Sequence, residues 1–96
     1  MAAYVIVDVE VLDPEPYKEY TAAVPATLAP FGGRFIVRGG RSETLEGDWN
    51  PVRIVVIEFP DFDAAKGWHA SPEYQAILPI RLKHARTNFL TVVEGV

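Results

Sequence analysis

The chain of 96 residues contains no cysteine. That absence excludes a disulfide framework, a thiolate nucleophile, and thiolate-ligated zinc or iron–sulfur centres. A basic surplus is missing too. Nine Lys and Arg face 13 Asp and Glu, a formal net charge of -4, with a pI near 5.0. A nucleic-acid platform needs excess positive charge to displace counterions from phosphates. Here Arg34, Arg38, Arg41 and Arg53 are diluted by Glu43, Glu46, Asp48 and Glu58, so no nucleic-acid partner is expected. No apolar run approaches the roughly 20 residues that cross a bilayer, so no membrane partner is expected either. Met1-Ala2-Ala3-Tyr4 carries neither the basic region nor the apolar run of a signal peptide, which makes a cytoplasmic location the expectation.

Several chemical signatures are also lacking. The two histidines, His69 and His84, do not form HExxH, and Ser71-Pro72 interrupts the spacing between His69 and Glu73. No metal site is expected. Gly32-Gly33 and Gly39-Gly40 match neither GxGxxG nor GxxxxGK[ST], and no GxSxG surrounds Ser71. No cofactor is expected.

What remains is one globular domain over residues 1–96. Hydrophobic residues make up 49% of the chain and charged residues 23%, which is enough apolar material for a small core. Alternation predicts a strand over residues 4–11, with Val5, Val7, Val9 and Val11 on one face. Asp13 is placed to cap a helix that carries Tyr17, Tyr20, Val24, Leu28 and Phe31 at helical spacing. Pro25 should kink this helix without ending it, because Leu28 and Phe31 keep its phase. One of Gly32 and Gly33 suits a left-handed residue after the helix.

Strands follow over residues 34–40 and 52–59, the second of them apolar on both faces. Gly39-Gly40 predicts a bulge or a close backbone approach. Asp61 and then Ser71-Pro72 start helical segments, and a last strand is predicted over residues 88–94. The order β-α-β-β-α-β is a split βαβ motif. It predicts an α+β fold with a four-stranded antiparallel sheet and two helices on one face. Ile6, Val55 and Ile57 are candidates for the other face. An apolar face of that size seldom stays exposed, so a homodimer is expected to cover it.

The run Gly32-Gly33-Arg34-Phe35-Ile36-Val37-Arg38-Gly39-Gly40 is followed by Leu45-Glu46-Gly47-Asp48-Trp49-Asn50-Pro51. Then come Arg53-Ile54-Val55-Val56-Ile57-Glu58-Phe59-Pro60 and Ala65-Lys66-Gly67-Trp68-His69-Ala70-Ser71-Pro72-Glu73-Tyr74. Together these resemble the domain-of-unknown-function 1330 family, within the dimeric α+β barrel superfamily. The resemblance implies a ferredoxin-like fold and a dimeric barrel, and it names no reaction. The wider superfamily includes cofactor-independent monooxygenases, isomerases and ligand-binding domains. His69 stands where many relatives have Tyr, a change that bears on pocket chemistry.

Arg38 and Arg53 lie on adjacent β segments, where paired guanidinium forks would hold a carboxylate or phosphate. Arg53 sits among Val and Ile, a costly place for an uncompensated charge. Glu46 and Glu58 are the internal partners that would satisfy both arginines without a ligand. Trp49, Trp68 and Tyr74 are candidate pocket walls, with core or interface packing as the alternative. His69 and Glu46 are the candidate proton shuttles of a cofactor-independent isomerase, decarboxylase or monooxygenase. Three functions stay open from the residues: a pocket for a small acidic or polar-aromatic molecule, such an enzyme, and a structural dimer with no ligand.

Overall fold

A computed structural model describes residues Met1–Val96. Strand β1, Ala3–Val11, lies inside a four-stranded antiparallel sheet of order β2-β3-β1-β4, with β2 Arg34–Arg38, β3 Ile54–Phe59 and β4 Ala85–Glu94. Its alternation does what the sequence pattern requires. Val5, Val7 and Val9 point to a covered face and are buried, while Tyr4 and Ile6 point to the other face and keep partial exposure.

Register assigns the remaining strands. Val5 stands opposite Ile57 and Val7 opposite Val55, so both β3 residues share the valine face. The expectation that Val55 and Ile57 line the uncovered face is therefore corrected. Ile54 and Val56 lie there with Ile6, because strand partners place their side chains on the same side of the sheet. A bulge between Phe35 and Val37 shifts the β2 register, which puts Phe35 and Arg38 opposite Ile57 and Val55 on the covered side.

Helix α1, Pro14–Leu28, runs through Pro25 and ends in a short 3₁₀ turn, Ala29–Phe31. Gly32 then takes the left-handed conformation at φ 69°. Asp13 precedes α1 without capping it, which corrects that expectation. Its carboxylate lies 3.0 Å from His84 Nδ1, and the Leu12 and Asp13 N–H groups donate to the His84 carbonyl. The C-terminus of the last helix is thus docked at this point, and its imidazole takes the carboxylate that would have capped α1.

The second helical region is two helices, α2 Phe62–Ala70 and α3 Pro72–His84, so the sheet carries three helices rather than two. Asp61 caps α2 by accepting from the Ala64 N–H at 2.7 Å. Ser71 joins the helices. Its hydroxyl donates to the Trp68 carbonyl and accepts from the Tyr74 N–H, closing one helix and opening the next.

The strand limits differ from the sequence expectation at every strand, β1 only by starting one residue earlier, at Ala3. Strand β4 begins at Ala85, directly after α3, because Arg86 and Thr87 already pair with Glu10 and Val9. Strand β3 begins at Ile54 because the Val52 and Arg53 N–H groups are taken by the Asp8 carboxylate. Strand β2 stops at Arg38, before Gly39 turns to φ 71°. The core is a continuous cluster between the helices and the valine face, with Phe59, Trp68 and Tyr74 as its largest fully buried apolar side chains. No helix is long and apolar enough to cross a membrane.

Candidate functional site

Helix α1 packs chiefly on α3. A cavity of about 40 Å³ lies between α1 and the valine face of the sheet. Tyr17, Tyr20 and Val24 form its roof, Val7, Val9 and Val55 its floor, and Trp68 one wall. An outer cleft of about 380 Å³ adjoins it near the start of α1. Tyr17, Thr21, Arg38 and Arg53 line both spaces and so form the partition between them.

Local sequence places the arginines. Helical Pro25 has no N–H to give the Thr21 carbonyl four residues back. Arg38 Nη2 donates to that carbonyl at 3.3 Å, while its guanidinium lies 4.3 Å from the Phe35 ring centroid. Arg53 passes across Gly39. A Cβ at Gly39 would stand 2.7 Å from Arg53 Nη1, so only glycine leaves room for the guanidinium there.

The third arginine, Arg81, projects from the last turns of α3 into the core and is 4% exposed. Nη1 donates to Thr87 Oγ1, and Nε is the only buried side-chain polar atom of the chain without a partner. The Tyr20 and Tyr74 hydroxyls, 2.8 Å apart, lie beside the guanidinium. Burial pulls the Arg81 pKa down, but Tyr74 and Tyr20 more than offset this and leave it raised, so Arg81 stays charged. Burial, with Tyr74 adding to it, pushes Tyr20 well above the ordinary phenol value, so it stays a neutral hydroxyl. Burial likewise raises Tyr17, against the opposing pull of Arg81 and Arg53.

No carboxylate lines either space. The ion pairs are Lys18–Glu15, Arg34–Glu58, His84–Asp13 and Arg86–Glu10, and Arg38, Arg53 and Arg81 belong to none of them. Glu58 pairs with Arg34 at 2.7 Å because the two stand opposite each other on the uncovered face. Glu46 is exposed in the 39–53 segment and makes no hydrogen bond with either arginine.

The other candidates are dispersed. Trp68 lines the inner cavity with its ring, but its N–H donates to Thr27 Oγ1 at 3.0 Å. Tyr74 sits behind that wall, 4.2 Å from the Trp68 ring, and reaches the cavity through its bond to Tyr20. His69 packs on Trp68 and Tyr74 and lines neither space. Burial first, then Arg81, lower its pKa, so it is neutral at pH 7.

Trp49 lies over the opposite face of the sheet. Its ring is 5.5 Å from Phe89, and its N–H donates to Asp8 Oδ2 at 3.1 Å. Asp8 also accepts from Asn88 and from the Val52 and Arg53 backbone, all within 3.2 Å. Burial alone would raise its pKa, but these four donors prevail and lower it. Asp8 thus pins the 48–53 segment to the sheet. It also fixes the backbone of Arg53, whose side chain lies on the covered side.

Sequence reasoning missed Asp8 as an anchor and Arg81 as a cavity wall. The signal for Arg81 was present, because a charged residue continues the apolar stripe of Tyr74, Ile77 and Leu78. For Asp8 no local signal existed, since its four donors come from distant stretches of chain.

The chain belongs to the domain of unknown function family DUF1330, which matches residues 2–96. A search of curated proteins gave no match. Solved structures share its fold at low identity. The RPA0582 protein of unknown function from Rhodopseudomonas palustris is 16% identical, with a TM-score of 0.72 over 99% of this chain and 82% of that one. A dimeric ferredoxin-like protein of unknown function from Jannaschia sp. CCS1 is 16% identical, with a TM-score of 0.69 over 99% and 100%. SnoaB, a cofactor-independent oxygenase from Streptomyces nogalater, is 15% identical, with a TM-score of 0.66 over 99% and 93%. The fold is ferredoxin-like.

Proposed function

We propose that this protein is a homodimer whose subunits each bind a small organic anion in the space between α1 and the sheet. The observation that carries this reading is the pair Arg38 and Arg53, which line both the inner cavity and the outer cleft without an acidic partner. An acidic chain that leaves guanidinium groups unpaired at a cavity mouth is matched to an anion from solution. The walls behind them are apolar and aromatic, which suits an organic body rather than an inorganic ion.

Dimerisation is supported by the uncovered sheet face. Ile6, Ile54 and Val56 lie there, with Val37 and Val93 exposed on the same side and Trp49 half-exposed over Phe89. A second copy would remove this surface from water, and the solved relative from Jannaschia is described as dimeric. The cofactor-independent enzyme with His69 or Glu46 as proton shuttle is a less supported reading, because neither residue lines the cavity or the cleft.

The test is Arg53→Met, which keeps the length of the side chain and removes its five donors. Wild-type protein is titrated calorimetrically with a panel of aromatic and aliphatic carboxylates. The variant should stay folded and lose at least tenfold in affinity for the acids that bind. Unchanged affinity, or no saturable binding of any acid to the wild type, overturns the reading.

A further inference from the structure

Resting on that reading, we infer that the ligand is a short monocarboxylic acid held by Arg38 and Arg53 at the cavity mouth, and that the Tyr17 hydroxyl is the donor that completes its carboxylate site. The starting point is Tyr17. It is 7% exposed, its ring packs 5.3 Å from that of Tyr20, and it lines both the inner cavity and the outer cleft. The Tyr20 and Tyr74 hydroxyls bond each other, whereas the Tyr17 hydroxyl makes no hydrogen bond within the chain. It is not sealed in the core either, because Arg81 Nε is the only buried side-chain polar atom without a partner. The hydroxyl therefore opens onto the space that Tyr17 lines. Burying a phenol with its O–H unused costs free energy, and an acceptor from solution offsets that cost. Burial holds its pKa above the ordinary 10.0, against the pull of Arg81 and Arg53, so it is a neutral O–H donor. A carboxylate has about four lone-pair sites, enough for two guanidiniums and one phenol.

The inner cavity sets the length of the acid. An apolar space of about 150 Å³ takes one benzene, and about 10–15 Å³ is needed for one water. At about 40 Å³ the inner cavity admits a tail of about two or three heavy atoms and no ring. Val7, Val9, Val24 and Val55 surround it, so that tail is hydrocarbon. Nothing at the deep end calls for a second charge, because Arg81 is held in its own network by Thr87, Tyr20 and Tyr74. The outer cleft is larger, about 380 Å³, but Lys18, Thr21 and the two arginines make its lining mostly polar. A long apolar tail gains little there. Propionate and butyrate, with two and three carbons beyond the carboxylate, match the whole arrangement.

The experiment titrates acetate, propionate, butyrate, hexanoate and benzoate into wild type, Tyr17→Phe, Arg53→Met and Val24→Ala, with binding read from amide shifts in NMR. In wild type affinity should rise about fourfold for each CH₂ from acetate to butyrate. Hexanoate and benzoate should bind no tighter than butyrate. Tyr17→Phe should keep the melting temperature of wild type, because the hydroxyl bonds nothing in the fold, and should bind butyrate at least tenfold more weakly. Val24→Ala removes two methyl groups from the roof and should make hexanoate the tighter ligand. Val55→Ala, on the floor, serves if that variant does not fold.

The inference fails if Tyr17→Phe binds butyrate as wild type does. It also fails if that variant loses affinity only together with a fall in melting temperature, which marks a structural hydroxyl. Tighter binding of hexanoate or benzoate than of butyrate to wild type overturns it too, as does a length preference that the cavity variants leave unchanged. In each case a loss of affinity in Arg53→Met would leave the anion cleft itself standing. If no acid binds wild type, both readings fall together.

Discussion

Arg38 occupies the hydrogen-bonding place that Pro25 leaves open. Proline has no N–H for the Thr21 carbonyl, and Arg38 Nη2 donates to that oxygen at 3.3 Å. An interruption in α1 is thereby a fixed point for a cavity-lining arginine on β2. Pro25→Ala supplies the missing N–H to the helix and competes with Arg38. Removing an interior proline relieves up to about 3 kcal/mol of helix cost, partly offset by a freer unfolded chain. Thermal melting should therefore move up by several degrees while acid affinity falls. A rise in stability with unchanged affinity would show that the Arg38 contact does not position the binding group.

Glycine 39 and its neighbour provide a paired control. Gly39 has φ 71° and Arg53 lies where its Cβ would be, whereas Gly40 has nothing within 4 Å. Gly39→Ala should cost about 1–2 kcal/mol from the left-handed backbone and push the Arg53 guanidinium out of place. Acid binding should weaken with it. Gly40→Ala should change neither melting nor binding appreciably. Equal effects from the two substitutions would argue against a specific Gly39–Arg53 fit.

Asp8 predicts an acid-sensitive stability. Its carboxyl is lowered in the fold, so between the folded value and the ordinary 3.8 the unfolded chain binds the extra proton. The stabilisation is complete above 3.8 and is lost as pH falls through the folded value. Asp8→Asn should remove this component and leave buried donors poorly matched, a cost of about 1–3 kcal/mol at pH 7. Urea unfolding at pH 7 and pH 3 measures both parts. Emission from Trp49 should also shift to the red, because its N–H loses an ionised acceptor. A variant as stable as wild type at pH 7 would remove Asp8 as the anchor of the 48–53 segment.

His69 titrates in the opposite part of the range. Burial and then Arg81 hold its pKa below the ordinary 6.5. Between the folded value and 6.5 the unfolded chain binds more protons, so stability is complete above 6.5 and declines as pH falls below it. Imidazole proton shifts in NMR should place the midpoint under 6.5. Arg81→Met should raise that midpoint without restoring it fully, since burial remains. A midpoint unaffected by loss of Arg81 would mean the guanidinium charge does not reach the ring.

The dimer is tested at Val56, in the middle of the uncovered face. Sedimentation of wild type at micromolar concentration should give about twice 10.7 kDa. Val56→Lys introduces a charge that a sheet-to-sheet interface would have to desolvate, and should yield monomer. The uncovered face needs no second copy if wild type itself sediments as a monomer.

The strands, the cap residues Asp61 and Ser71, and the passage of α1 through Pro25 were legible along the chain, because each depends on contacts within a few residues. Alternation shows that Val5, Val7 and Val9 share a face, whatever lies across from them. The assignment of Val55 and Ile57 to a face was not legible, because it depends on which β1 residue each stands opposite. A shift of one position reverses it. The same long-range register sends Glu58 to Arg34, away from the cavity arginines. Trp49 illustrates the limit most plainly. Its sequence neighbours place it near Arg53, but Asp8 draws its indole to one face of the sheet while the Arg53 side chain lines the cavity on the other. Local chemistry determined that this chain would fold as a ferredoxin-like sheet, and register left the arginines without an acidic partner. Which side of a sheet one atomic layer thick each of them reached was decided by strand register and by the bulges at Phe35/Val37 and Asp8/Val9.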